Sequence, residues 1–538
     1  MRAQGAHGSI AAAGVTPATR AGTVSRMGSA ASNVSASSID AKITSINPAT
    51  GEPLGEVPDQ TAAEVRAAVD AARAAQREWG ALPVETRARR VLRFAEVLME
   101  RAEEVIDLLV REGGKTRLEA LGMEVIVVAD LTRYFAKHAA EMLAPEPIPL
   151  HLLKHRASYL HFVPRGVVGI IAPWNFPFSI PMGEVVMSLL AGNGVVLKPS
   201  EVTPLIAQKA RELYLAADLP PDLFQVVTGR GATGAALIDA GIDYCVFTGS
   251  VATGKKVAAA CGERLIPCTL ELGGKAPAVV CADADLDRTA QAIVWGGFAN
   301  SGQVCASVER VYAVDEIHDA LVGRIVELAR GLRQGDASSD GGAEVDVGAM
   351  AWDQQVATVE KLVGSAVAAG ARIEVGGARG PGPGQFFQPT VLTGCRQDMD
   401  VMRKEIFGPV IPVMRVADED EAVRHANDSH LGLLAYVFTR DRERGKRLAE
   451  RIAAGTVMVN DVLATYAAPE TPWGGVKQSG IGRTHSILGL RDLCETRHVN
   501  HDRIALGREV WWYPYKGSTF RALLRGAKLL FGRRFWQR

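Results

Sequence analysis

The chain begins its regular pattern near Ile43, with apolar residues at the spacing of amphipathic helices. Thr61, with Glu64 three residues later, is a capping box. It precedes an apolar stripe formed by Val65, Ala68, Val69 and Ala72. Prolines at positions 145, 147 and 149 end this region, because proline cannot continue a helix. The pattern predicts helices over residues 61–79, 84–101, 102–112 and 117–143.

Short β-branched runs alternate with helical segments from Arg165 onward. Runs this apolar are typical of parallel strands that helices cover on both faces. The predicted strands cover residues 167–172, 195–198, 224–227 and 244–248, and helices over 182–191, 204–217 and 233–240 lie between them. A second series of strands follows Cys305, over 311–314, 373–375, 410–416, 434–439 and 456–460. We therefore expect an α/β fold with two Rossmann-like domains.

Residues 1–42 do not follow this pattern. They are rich in Ala, Ser, Gly and Thr, have no acid before Asp40, and show no apolar period, so we expect a disordered tail. The composition also resembles an organelle transit peptide, and translation could instead start at Met27.

Residues 503–538 form a basic, aromatic tail with no acid from Lys516 onward. As a helix, it would carry Arg521, Arg525 and Lys528 on one face. Apolar residues would share another face: Phe520, Leu523, Leu524, Ala527, Leu530 and Phe531. A basic amphipathic helix with aromatic flanks is typical of a membrane-surface anchor. A helix packed on the protein's own body is the alternative.

Composition narrows the class of protein. The 60 acidic residues balance the 60 basic ones, so global charge does not suggest a nucleic-acid partner. No apolar run approaches the roughly 18 residues of a membrane-spanning helix. The seven cysteines are scattered and never occur as Cys-x-x-Cys, which favours the reducing cytoplasm over a disulfide framework. Cysteine and histidine spacing predicts no metal site.

Several short motifs could carry chemistry. Cys305 follows a Gly-containing turn, where a thiol can be a nucleophile or simply a small buried side chain. Gly249 and Ser250 stand between a buried strand and a helix, where backbone N–H groups can hold a phosphate or merely close a tight turn. Lys198 and Glu201 follow another strand, suited to a ribose or to a surface ion pair.

Three further side chains complete the candidate set. Asn175 lies in a rigid Pro-Trp-Asn-Phe-Pro stretch and could donate to an oxyanion, or cap a helix. Glu271 is a carboxylate among apolar residues, so we expect a raised pKa suited to a general base. Glu405 and Phe407 put an acid and a ring on one turn, as a nicotinamide ribose and ring require.

Together these stretches resemble the NAD(P)-dependent aldehyde dehydrogenase superfamily. The segments APWNFP, KPSE, FTGS, ELGGK, GQVC, ERVY, EIFGPV and TPWGGVKQSGIGR occur in the order found in that family, over residues 43–500. The resemblance implies a cofactor domain (43–145 and 164–273), a catalytic domain (274–476) and a small β oligomerisation element (146–163 and 477–502). It also implies a homodimer or homotetramer.

The resemblance also implies a role for each residue. Cys305 would attack the aldehyde, Asn175 would hold the oxyanion, and Glu271 would activate water against the thioester. The cofactor would contact Trp174, Lys198, Glu201, Gly249, Ser250, Glu405 and Phe407. An acid at position 201 favours NAD over NADP, because it would repel a 2′-phosphate.

Alternatives remain at the level of substrate and class. A coenzyme A-acylating enzyme would not need Glu271, and a catalytically silent member would not need Cys305.

Relatives that act on succinic semialdehyde often carry pocket arginines where this chain has Gly183 and Ala299. An apolar funnel for a lipophilic aldehyde is suggested by Phe176, Phe178, Ile180, Met182 and Val304. After Gly480-Ile481-Gly482-Arg483, relatives usually have Glu, whereas this chain has Thr484.

Overall fold

The structure is a computed structural model, and it describes residues 42–339, 342–380 and 382–532. The predicted tail over residues 1–41 and the sequence after 532 lie outside the described residues. The first described element, a strand, begins at Lys42, one residue before the expected start of order.

Strands and helices alternate through most of the chain, as predicted. The strands are β1 (Lys42–Ile46), β2 (Pro53–Pro58), β3 (Glu146–Pro147), β4 (Arg156–Pro164), β5 (Val167–Ile171), β6 (Gly194–Lys198), β7 (Phe224–Val226), β8 (Tyr244–Thr248), β9 (Cys268–Glu271), β10 (Ala276–Val280), β11 (Val308–Val314), β12 (Arg372–Val375), β13 (Thr390–Thr393), β14 (Val410–Val416), β15 (Leu431–Gly432), β16 (Leu434–Phe438), β17 (Thr456–Val459), β18 (Val476–Lys477), β19 (Gly480–Ile481) and β20 (Cys494–Asp502). The helices are α1 (Ala62–Ala81), α2 (Val84–Glu100), α3 (Ala102–Gly113), α4 (Arg117–Glu119), α5 (Ile126–Met142), α6 (Ser179–Ala191), α7 (Leu205–Ala216), α8 (Gly231–Asp239), α9 (Val251–Glu263), α10 (Leu286–Phe298), α11 (Asp315–Arg330), α12 (Asp353–Ala368), α13 (Asp400–Arg403), α14 (Glu419–Asn427), α15 (Arg442–Arg451), α16 (Ser486–Asp492) and α17 (Gly517–Phe531).

The first large sheet has the strand order β19-β9-β8-β5-β6-β7. Its strands are parallel except for the antiparallel edge strand β19. Val168 and Ile170 of β5 pack into one core cluster with α2, α5 and α6, while Val167 packs into a second cluster with α1 and α8. Alternate residues of one strand are thus buried on opposite faces, as the apolar runs predicted.

The second large sheet has the order β12-β13-β14-β11-β10-β16-β17 and is parallel apart from the edge pair β12 and β13. Its two faces also bury separate clusters: Ala278 and Val311 face one cluster, and Val279 and Tyr312 face the other. The α/β class with two parallel sheets is therefore confirmed.

A third sheet is small and antiparallel, with the order β20-β4-β3. β4 pairs with β20 from Arg156 with Asp502 to Pro164 with Cys494. The sheet falls within the two segments expected to form the oligomerisation element. Its role in assembly stays a prediction.

The helix predicted over 117–143 is wrong in one respect. The chain runs as α4, then a π-helical segment over Ala120–Val125, and then α5. A π-helical turn changes the directions in which the following side chains project. It occurs at the helix that faces the candidate site.

Candidate active site

Four candidate segments meet at one edge of the first sheet. β5, β6, β8 and β9 are neighbouring parallel strands, so their carboxyl ends share that edge. Asn175 lies shortly after β5, Lys198 ends β6, Ser250 follows β8, and Glu271 ends β9. Ligands bind at this edge of open parallel sheets.

Cys305 lies on a tight loop after α10. Asn300 and Ser301 have positive φ angles of 50° and 55°, and Gly302 follows at 71°. A Cβ on Gly302 would stand 2.1 Å from the carbonyl oxygen of Gly408, so only glycine allows this close approach. A Cβ on Gly274 would likewise stand 2.0 Å from the carbonyl oxygen of Cys305. The thiol loop is therefore pressed against two other backbone segments.

The Cys305 thiol lies in an unfavourable environment for a charge. Burial raises its pKa to about 12, and the nearby carboxylates of Glu405 and Glu271 act in the same direction. The backbone N–H groups of Cys305 and Ala306 oppose this shift. In the protein without ligands, the thiol is therefore protonated at neutral pH.

Asn175 is buried and reaches the same loop. Its Nδ2 donates to the carbonyl oxygen of Gln303 at 2.9 Å, two residues before Cys305. The Asn300 Nδ2 donates to that same oxygen at 3.3 Å. If the Asn175 amide turned toward an oxyanion, the Gln303 carbonyl would keep a donor.

Three charged residues around α4 organise this region, and sequence reasoning missed them. Lys115 Nζ donates to the carbonyl oxygen of Asn175 at 2.7 Å and pairs with Glu124 at 2.9 Å. Glu124, in the π-helical segment, accepts from the N–H groups of Phe178 and Ser179. Glu119 accepts from Asn300 N at 2.7 Å. Charged residues within an otherwise apolar stretch were the signal in the sequence that could have identified them.

Glu271 is 5% exposed, and neither carboxylate oxygen has a hydrogen-bond partner among the residues that the structure describes. Burial raises its pKa well above the ordinary value, and the neighbouring Glu184 raises it further, while Arg483 and the nearby Trp473 indole N–H oppose the shift. The direction agrees with the expectation from its apolar neighbours. An unpartnered buried carboxylate is able to accept a proton from water.

Glu184 is a second buried acid near Glu271. It accepts a hydrogen bond from the Thr484 hydroxyl, and burial raises its pKa to about 7. Thr484 and Trp473 exchange two backbone hydrogen bonds: Trp473 N donates to the Thr484 carbonyl oxygen at 2.8 Å, and Thr484 N donates to the Trp473 carbonyl oxygen at 2.9 Å. Thr484 thus contacts an acid supplied by α6. Sequence reasoning noted Thr484 but missed Glu184.

Glu405 and Phe407 lie on one turn, as predicted. Glu405 accepts from Gly274 N at 2.8 Å, and Phe407 packs edge to face on Trp174 with ring centroids 5.3 Å apart. The turn is held by Glu309, which accepts from the N–H groups of Ile406 and Phe407 and from Lys275 Nζ, all within 2.9 Å. Glu309 was not singled out in the sequence.

The remaining cofactor candidates make the contacts expected of a surface ion pair and of a tight turn at the start of a helix. Lys198 is buried and pairs with the exposed Glu201 at 3.2 Å. The Ser250 hydroxyl caps α9 by accepting from Thr253 N at 3.3 Å. Gly249 precedes it, and a Cβ there would meet the Phe247 ring at 2.6 Å.

Cys305 and Glu271 line a cavity of about 710 Å³. Most of its wall is apolar and comes from α5, α6, α10 and α11 and from the loop around Tyr466. Phe176, Ile180, Val304 and Ala299 line it as expected. The funnel prediction is wrong for Phe178, just before α6, and for Met182, in its first turn, because both side chains are buried in the core beside the first sheet.

One arginine contributes to the described wall of this cavity. Arg333 pairs with Asp346 and with Glu344, each at 2.9 Å. Gly183 does not line the cavity, and a Cβ there would stand 3.3 Å from the Leu131 side chain. The wall thus offers little free positive charge to an anionic substrate.

Comparisons with known proteins agree with this geometry. A protein of Mycobacterium tuberculosis strain H37Rv named "Putative succinate-semialdehyde dehydrogenase NADP(+) 2" is 38% identical over 85% of this chain and 88% of its own. The 4,4'-diapolycopene aldehyde oxidase of a Methylomonas species is 37% identical over 89% of each chain.

Solved structures give the same result. An NAD-dependent aldehyde dehydrogenase from Sinorhizobium meliloti superposes with a TM-score of 0.84 at 35% identity, over 89% of this chain and 95% of its own. A Mycobacterium tuberculosis aldehyde dehydrogenase complexed with NAD+ gives 0.82 at 33% identity, over 88% and 96%. The family model for the aldehyde dehydrogenase family matches residues 34–499. The chain therefore belongs to the aldehyde dehydrogenase family.

Proposed function

We propose that this enzyme oxidises an aldehyde to a carboxylic acid with NAD(P)+ and water, and that Cys305 is the nucleophile. The observation that carries the proposal is the shared cavity of Cys305 and the unpartnered Glu271, with Asn175 bonded to the same loop. A thiol, an amide donor and a buried base are the three groups that thioester chemistry requires.

The residues act in sequence. The Cys305 thiol loses its proton to solvent as its sulfur bonds to the aldehyde carbon, and the Asn175 amide and the Cys305 backbone N–H stabilise the oxyanion. Loss of hydride converts the thiohemiacetal to a thioester. Glu271 then takes a proton from water as the water oxygen attacks the thioester carbon. The carbon–sulfur bond breaks, and the acid leaves with the thiol restored.

The edge of the first sheet at which β5, β6, β8 and β9 end fits a dinucleotide. The first turn of α9 carries no acid, and the helix begins at the carboxyl end of β8, which suits a pyrophosphate beside Ser250 and Gly249. Lys198 and Glu201 would hold the adenosine ribose, and Glu405, Phe407 and Trp174 the nicotinamide end. The oxidised nicotinamide supplies the hydride acceptor when it is bound.

NAD is the preferred cofactor in this proposal. The Glu201 carboxylate is exposed at the end of β6 and would repel a 2′-phosphate. The names of the relatives include both cofactors, so the preference for NAD is argued from Glu201 alone. The ratio of kcat/KM for NAD+ to that for NADP+ measures the preference, and we expect Glu201→Ser to lower it.

A lipophilic aldehyde is the favoured substrate class. The cavity wall is mostly apolar, and its arginine is already paired with two carboxylates. The Methylomonas relative is named for an apolar aldehyde. A semialdehyde is the second candidate, supported by the name of the mycobacterial relative. Aldehydes of increasing chain length, with and without a terminal carboxylate, separate the two by kcat/KM.

The main experiment measures NADH formation with and without coenzyme A. We expect full turnover without coenzyme A, because Glu271 can activate water. Turnover that requires coenzyme A would instead identify an acylating enzyme. Cys305→Ala should have no turnover, and retained turnover would refute the nucleophile.

The proposal extends to assembly and location. The three-stranded sheet of β20, β4 and β3 supports a homodimer or homotetramer, because β20 lies at its edge and is largely exposed. The described cysteines are free thiols, which supports the cytoplasm as compartment, with peripheral membrane contact through the tail.

A further inference from the structure

The C-terminal helix α17 presents an uncovered apolar face. Its fifteen residues include no buried side chain. Phe520, Leu523, Leu524, Leu530 and Phe531 recur at helical spacing and are between 42% and 65% exposed. Exposed stripes of large apolar residues mark interaction sites, since soluble proteins rarely leave them in water.

The charge around this face has one sign. Arg521, Arg525 and Lys528 lie beside the apolar stripe, and the sequence has no acid from Lys516 to its end. The described part of α17 makes no salt bridge through these residues. A partner should therefore be anionic and present an extended apolar layer.

The segment before the helix adds an aromatic cluster that is tied to the body of the protein. Trp511, Trp512, Tyr513 and Tyr515 are between 46% and 77% exposed. Glu509 is buried and pairs with His155 at 3.1 Å and with Arg156 at 3.6 Å, both beside β4 or in it. These contacts attach the start of the tail to the third sheet. Trp and Tyr are enriched at the headgroup level of membranes.

We propose that α17 binds the surface of a lipid bilayer that contains anionic lipids, lying in the plane of the interface. The apolar stripe would enter the boundary between headgroups and acyl chains, with the basic residues on lipid phosphates and the aromatic cluster beside them. Fifteen residues of α-helix measure about 22 Å, which is too short to cross a hydrocarbon core of about 30 Å. No helix within the described ranges is long and apolar enough to span a membrane.

The binding surface goes beyond the proposed catalysis. None of its residues lines the cavity of Cys305, so membrane binding and aldehyde oxidation can be measured separately. For a lipophilic aldehyde, a membrane-bound enzyme would meet the substrate where it dissolves.

Vesicle flotation of the full chain tests the proposal. We expect flotation with vesicles of phosphatidylcholine and phosphatidylglycerol, and much less with phosphatidylcholine alone or in high salt. The variant Arg521→Gln/Arg525→Gln/Lys528→Gln should bind about a hundredfold more weakly, because the loss of each charge weakens binding by roughly tenfold or less. The variant Leu523→Ser/Leu524→Ser/Leu530→Ser should also lose binding.

A matched control changes the same number of exposed basic residues elsewhere. Arg77→Gln/Arg89→Gln/Arg442→Gln alters α1, α2 and α15 and should float like the unchanged protein. All variants should keep their turnover of a short, water-soluble aldehyde, which shows that they are folded. Equal flotation of the α17 variants and the control, or no flotation of the full chain, would refute the proposal. A fall in mass by light scattering for the Leu variant, without vesicle binding by the full chain, would identify a contact between copies instead.

Discussion

At the scale of single residues, the site is a set of acids held in low dielectric. Glu271 and Glu184 are buried, Glu405 is half-buried, and all three have raised pKa values. Burial is the first cause of each shift, and a neighbouring acid adds to it: Glu184 for Glu271, and Glu309 for Glu405. Glu405 and Glu271 in turn raise the pKa of the Cys305 thiol.

The role of Glu271 as the base can be tested by measuring the formation of the thioester and its hydrolysis separately. Glu271→Gln should form NADH in a single burst and then turn over more slowly, by a hundredfold or more, because the thioester forms but water is not activated. Rapid-mixing measurement of NADH fluorescence separates the two phases. A linear time course at the normal rate would show that Glu271 is not the base.

Glu184 should set the pH at which the base works. Glu271 must be ionised to act, so activity falls as pH drops through its raised pKa. Glu184→Gln removes a negative neighbour, lowers the pKa of Glu271, and should move the acidic limb of the hydrolysis rate to lower pH. Thr484→Val removes the hydrogen bond that lowers the pKa of Glu184, so Glu184 stays protonated to higher pH and the limb should move in the same direction, but by less.

Sequence reasoning worked well for residues whose chemistry depends on their immediate neighbours. Apolar residues around Glu271 are sufficient to predict its raised pKa, and Thr61 with Glu64 predicts the cap of α1. It failed for Phe178 and Met182, because the face of a helix that is buried all round has no amphipathic signal. It also missed Glu184, whose significance depends on a contact with Thr484 that is 300 residues away.

At the scale of elements, the π-helical segment is the informative departure. Helical periodicity predicted the long helix, and the insertion of one wider turn leaves too small a change in sequence pattern to detect. The strands β9, β10 and β13 were missed for a different reason, which is that they are short. Each is four or five residues long, and β10 contains Pro277, which lowers strand propensity.

The ion pair that the π-helical segment supports should be important for both stability and rate. Lys115→Met would leave Glu124 buried without its cation, so we expect the free energy of unfolding to fall by about 3 kcal/mol. Turnover should also fall, because the Asn175 carbonyl loses a donor. Urea denaturation and steady-state rates measure the two effects.

Lys137→Met is the matched control, since Lys137 lies on α5, which follows the π-helical segment, and is exposed. It should be neutral within about 0.5 kcal/mol. If Lys115→Met behaved in the same way, the pair would have no organising role.

At the scale of the whole molecule, a single chain leaves one edge of the third sheet uncovered. β20 lies at its edge, and most of its side chains are exposed. An exposed edge strand is a template for pairing with another chain. This contact between distant segments, β4 and β20, could be expected from the family resemblance and not from local pattern.

Val499 tests the assembly. Val499→Asp introduces a charge on β20 and should lower the mass measured by light scattering toward that of one chain. Val367→Asp changes an equally exposed apolar residue on α12 and should leave the mass unchanged. If both variants keep the same assembly as the unchanged protein, β20 does not form the contact.

The helix from α4 through the π-helical segment has a further consequence for heat resistance. Lys115 and Glu124 hold the Asn175 turn, and Glu119 holds the Cys305 loop, so one short region maintains the alignment of both parts of the site. A local opening there would separate nucleophile and amide while both large sheets stayed intact. Activity should therefore be lost on warming at a lower temperature than secondary structure, and it should return on cooling.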